Sequence, residues 1–100
     1  MNIVDVHTHI FPDFLANKAL AGLSAGIHKP NTDGTLKGLL SSMDNAGVKK
    51  AFIANIATKV EQFYPILKFS EEIRSDRIVP LISIHPDDSA KIERLSLVKK

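Results

Sequence analysis

The 100-residue chain is 44% apolar and 24% charged, ordinary proportions for one globular domain. A net charge of +2, with its basic residues scattered apart from a local excess at Lys91, Arg94, Lys99 and Lys100, gives no footprint for nucleic acid. Cysteine is absent, which excludes a disulfide framework and thiolate chemistry; with no apolar run of membrane-spanning length and no basic leader, the expected location is cytoplasmic and no membrane partner is expected.

The first element is the apolar, β-branched run from Ile3, which ends in His7-Thr8-His9 and then Pro12. Strand alternation puts Ile3, Asp5, His7 and His9 on one face and Val4, Val6 and Thr8 on the other. Two imidazoles about 7 Å apart along one strand face can converge on a single ion where the strand end curls. Neutral imidazole is a good ligand for zinc and similar divalent ions, and Asp5 is positioned to orient one ring. The bland alternative is a polar strand end with two solvated histidines.

Pro12 and Asp13 suit a helix start, and Phe14, Leu15, Ala19, Leu20 and Leu23 form a loose apolar face. Residues 25–34 read as loop, with Pro30, Asn31, Asp33 and Gly34 as turn formers. Thr35 is an N-cap, Leu36, Leu39, Leu40, Met43 and Ala46 follow at helical spacing, and Gly47 closes the helix. Lys50 to Ile56 reads as a second strand buried on both faces. Val60 to Arg74 reads as a helix with Val60, Phe63, Leu67 and Ile73 inward; Pro65 marks either its true first turn or a kink. Ile78 to His85 reads as a third strand, and Pro86, Asp87 and Asp88 lead into a last helix carrying Ile92, Leu95 and Val98. Phe52, Phe63, Tyr64, Phe69 and Met43 are expected in the core. Strands alternating with helices predict an α/β fold with a parallel sheet in the order 1-2-3, its functional groups at the carboxyl ends of the strands.

The stretch from Ile3 to Pro12 resembles the first strand of the metal-dependent amidohydrolase superfamily, in particular its aminocarboxymuconate-semialdehyde decarboxylase-like branch. Met43 to Ala51 is similar to that branch's passage from helix to second strand, and Ser83-Ile84-His85-Pro86-Asp87 to its third strand end. The likeness runs over essentially the whole chain, but only the His-x-His element is specific. It implies the first three βα units of a (β/α)8 TIM barrel. Residues 1–100 would then be the N-terminal part of a hydrolase domain, since such a barrel takes roughly 250 residues. It implies one or two divalent metals, usually zinc, with His7 and His9 as ligands and metal-activated water attacking an amide, ester or similar bond of a small molecule. A non-oxidative decarboxylation is the alternative within the family, and a non-catalytic α/β module the alternative outside it. The family's further ligands belong to later strands and none is present, so these 100 residues alone are expected to be inactive. A longer form could assemble as a homo-oligomer.

Three further residues are candidates for the substrate pocket. His85 ends the expected third strand and would meet an anionic or carbonyl group, or else is a hydrogen-bonded structural histidine. His28 lies in the first long loop, where binding residues often sit, or is merely solvated there. Asn55 ends the second strand as a donor to the pocket, or simply terminates the strand. Asp87 and Asp88 read as caps of the last helix rather than as ligands.

Overall fold

The structure, a computed structural model, describes residues 2–23 and 32–98. Its elements run β1 (Ile3–Thr8), α1 (Asp13–Leu23), α2 (Leu36–Ala46), β2 (Val48–Ala54), a 3-10 turn at Val60–Gln62, α3 (Phe63–Ile73), β3 (Ile78–Leu81) and α4 (Lys91–Val98). The three strands form one parallel sheet in the order β1-β2-β3, so the fold is α/β. No described helix is long and apolar enough to cross a membrane.

Ala51 and Ile53 of β2 have no exposed surface. With Ile78 of β3 they face Leu39 and Met43 of α2 and Ile73 of α3, and Ile10 joins the same cluster. Both helices therefore cover one face of the sheet. On the other face Phe52 and Val79 are half-buried and Leu81 is exposed. The expectation that β2 is buried on both faces thus holds for only one of them.

α2 is bounded as its sequence predicts. The Thr35 hydroxyl accepts the Gly38 amide at 3.0 Å, and Gly47, at φ 72°, sends its N–H to the Met43 carbonyl. Asp33 buttresses the cap by accepting both the Thr35 hydroxyl (2.7 Å) and the Thr35 amide (3.0 Å). Those two bonds, the hydroxyl first, hold the Asp33 carboxyl below its ordinary value of 3.8.

Several boundaries and faces differ from expectation, each for a local reason. β2 starts at Val48, directly after the Gly47 cap, and stops at Ala54, whose carbonyl is taken by a side chain. β3 ends at Leu81 rather than His85: its partner β2 stops at Ala54, opposite Leu81, and the Leu81 carbonyl takes both the backbone and the side-chain N–H of Asn55. The expected helix from Val60 is a 3-10 turn followed by α3. Pro65 stands in the first turn of α3, where a missing N–H costs no helical bond. Tyr64 is exposed rather than core, and Phe14 and Leu15 on α1 are exposed too, while Ala16 of that helix is buried.

Asp88 is 2% exposed and pairs with Arg94 at 2.6 Å. The Arg94 guanidinium also lies over the rings of Phe63 and Tyr64, 5.0 and 5.2 Å from their centroids, and reaches the Val60 carbonyl. Asp88 additionally accepts the Ala90 amide, which closes a turn ahead of α4 instead of capping the helix's first turn as expected. Arg94→Ala would leave a buried carboxylate unpaired, and is expected to cost about 3 kcal/mol in urea denaturation. A second expectation concerns acid. The lowered Asp33 value means that its share of stability is present above 3.8 and is lost as pH falls through the depressed folded value. Thr35→Ala should move the Asp33 titration up toward 3.8 in a carboxylate NMR experiment and shift the acid limb of stability to higher pH.

Candidate functional site

β1 and β2 pair in parallel, but not in continuous register. Asp5 stands opposite Ala51 and Thr8 opposite Ile53, so three steps along β1 match two along β2. One extra residue reverses the pleat. Thr8 consequently lies on the helix-covered face with Ile53, where its hydroxyl donates to the Phe52 carbonyl at 2.8 Å. His7 and His9, its neighbours, lie on the opposite face. Asp5, opposite Ala51, does not share that face with them, which corrects the simple alternation. Its carboxylate accepts the backbone amide of His7 at 3.0 Å rather than a ring N–H.

The two imidazoles do converge. Their Nε2 atoms are 3.2 Å apart, with ring centroids at 5.0 Å and planes inclined by 77°. His9 Nδ1 is 2.8 Å from the Ala54 carbonyl. A carbonyl can only accept, so Nδ1 carries the hydrogen and Nε2 of the neutral ring presents its lone pair. That is how a backbone carbonyl prepares a histidine for metal binding. His7 Nε2–H then donates to His9 Nε2.

The spacing also fits a shared ion. Two nitrogens bound to one tetrahedral zinc at about 2.0–2.1 Å stand about 3.3–3.4 Å apart. To serve as the second ligand, His7 must carry its own hydrogen on Nδ1. Among the described residues no third histidine or carboxylate joins the pair. The residues present therefore fit two coordination positions.

The remaining candidates are placed differently. His85 sits not in β3 but in the turn after it, half-buried, with its carbonyl accepting the Asp88 amide. Its Nδ1 accepts the Asp87 amide at 3.2 Å, which leaves Nε2–H as the donor of the neutral ring. Asn55 spends both Nδ2 hydrogens on structure, one to Ser70 Oγ at 3.0 Å and one to the Leu81 carbonyl at 2.9 Å. Only its Oδ1 remains for a ligand. His28 lies outside the described residues.

Sequence reasoning did not find the Ala54 carbonyl as a tether, since any residue type offers one. Nor did it find Ser83, whose Oγ accepts the Ala57 amide at 3.1 Å and joins the segments leaving β2 and β3. A cleft of about 480 Å³ between α1 and α3, lined by Phe11, Leu15, Lys18, Ile56 and Phe69 among others, includes neither His7 nor His9.

In ¹⁵N NMR of the metal-free chain above the imidazole titration, His9 is expected as the Nδ1–H tautomer. An Nε2–H signature for His9 would contradict the tether to Ala54. No family model, curated protein or solved structure matches this chain.

Proposed function

We propose that the chain carries the opening βα units of an amidohydrolase-type barrel and that His7 and His9 are two ligands of a divalent metal, zinc by preference. The observation that carries this reading is the pair of Nε2 atoms 3.2 Å apart, with His9 held in the ligand tautomer by the Ala54 carbonyl. The ion, when bound, supplies Lewis acidity toward a carbonyl and lowers the pKa of water, the chemistry that hydrolysis of an amide or ester requires. The chain's own residues orient and donate. His9 is fixed by its tether, His7 completes the pair from two residues away, and the Nε2–H of His85 is available to a carbonyl or anionic group of a small-molecule substrate.

Cobalt(II) or zinc titration of the 100-residue chain tests the reading. Two protein ligands leave an ion mostly water-coordinated, so binding by the chain alone is expected to be weak. His7→Ala and His9→Ala should each weaken it by more than roughly tenfold, since even changes outside the ligand shell act on that scale. Metal uptake by the double alanine variant equal to that of the wild type would sink the proposal. Where turnover of an amide or ester is found, it should be abolished by chelator and restored by metal.

A further inference from the structure

We infer that Asp5 is the positioning residue of the histidine pair, acting through the His7 backbone rather than through either ring. From the pairing of Asp5 with Ala51, continuous register would put His7 opposite Ile53, on the face covered by α2 and α3. The one-residue slip between Asp5 and Thr8 prevents this and turns both imidazoles outward. An extra strand residue leaves backbone groups outside the ladder. The Asp5 carboxylate accepts one of them, the His7 amide, at 3.0 Å and two residues on. A side-chain oxygen on an i+2 amide is the local turn that Asp and Asn form readily. On the other side of the slip, the Thr8 hydroxyl fixes the return to register by its bond to Phe52. Asp5 thus decides which face His7 takes, and His9 follows two residues later to meet the Ala54 carbonyl.

The nature of this role separates three substitutions. Asp5→Asn keeps an oxygen at the right reach and removes the charge. Asp5→Glu keeps the charge but is one methylene too long to close the turn. Asp5→Ala has neither, and the exposure of Asp5 lets all three fold. The test uses the full 100-residue chain, ¹⁵N-labelled, with two readouts: cobalt(II) affinity, and in the metal-free chain the ring-to-ring NOE of His7 and His9 with the exchange rate of the His7 amide. The expected result is that Asp5→Asn behaves like the wild type. Asp5→Ala and Asp5→Glu should lose the NOE, speed His7 amide exchange and weaken cobalt binding by roughly 10–100-fold. Wild-type behaviour of Asp5→Glu, or loss in Asp5→Asn equal to that in Asp5→Ala, would overturn the inference and assign the effect to charge. The cobalt arm rests on the metal reading proposed above. Should the wild type bind no cobalt, that reading fails alone, and an unchanged NOE and amide exchange in Asp5→Ala would still overturn the positioning role.

Discussion

Ala51 and Ile53 are the fixed point of this molecule. They have no exposed surface, lie on the strand with two sheet partners and receive α2 and α3 on the same side. Burial on one side only has a consequence at the strand ends. Where the ladder stops, backbone donors and acceptors still need partners, and the strands no longer supply all of them. Side chains do much of this: the His9 ring at the Ala54 carbonyl, the Asn55 side-chain amide beside its own backbone N–H at the Leu81 carbonyl, the Ser83 hydroxyl at the Ala57 amide. The edge where α/β folds gather their chemistry is therefore also the edge where this one finishes its hydrogen bonding.

Those two demands compete for the same residues, and the competition sorts them. Asn55 is absorbed into structure by two donors. His9 satisfies the strand end with one nitrogen and turns the other to His7, which only a side chain with two ring nitrogens can do. The contact between the rings of His7 and His9 is by itself modest, since a neutral hydrogen bond nets about 1 kcal/mol. Each histidine is instead set by a bond to backbone: the Ala54 carbonyl orients the His9 ring, and Asp5 bonds the His7 amide. What brings the rings together is thus mostly decided before they touch.

Much of the fold was legible in the sequence because it is written locally. The alternation of apolar runs with helical periodicity predicts the parallel order, and Thr35 and Gly47 mark the ends of α2 by capping chemistry that needs no distant partner. The pairing of His7 with His9 follows from their spacing. The side on which they stand does not, because the slip between Asp5 and Thr8 is a property of two strands together. The placement of Asp5 fails for that reason. Tyr64 is an aromatic at the edge of a helical face, and whether it is inside depends on what packs there. Here that is the guanidinium of Arg94, which leaves much of the ring in water. Asp88 precedes α4 and Arg94 lies within it, so no one element's periodicity brings them together and their ion pair leaves no periodic trace.

That ion pair gives α4 an unusual kind of attachment. None of its residues is fully buried, and Ile92, Leu95 and Leu97 all remain exposed. Among the described residues its chief polar hold on the body is one planar cation, fitted between a carboxylate, a carbonyl and two aromatic rings. Heat capacity changes in proportion to the apolar surface uncovered, and the surface beneath α4 includes the Phe63 ring, 1% exposed under Arg94. Attachment by ions also weakens less on heating than the charge alone suggests, because the cost of dehydrating ions falls as temperature rises. The helix and the sheet are thus held by forces with different temperature dependence. Opening of α4 is a local motion of the kind that amide exchange reads directly.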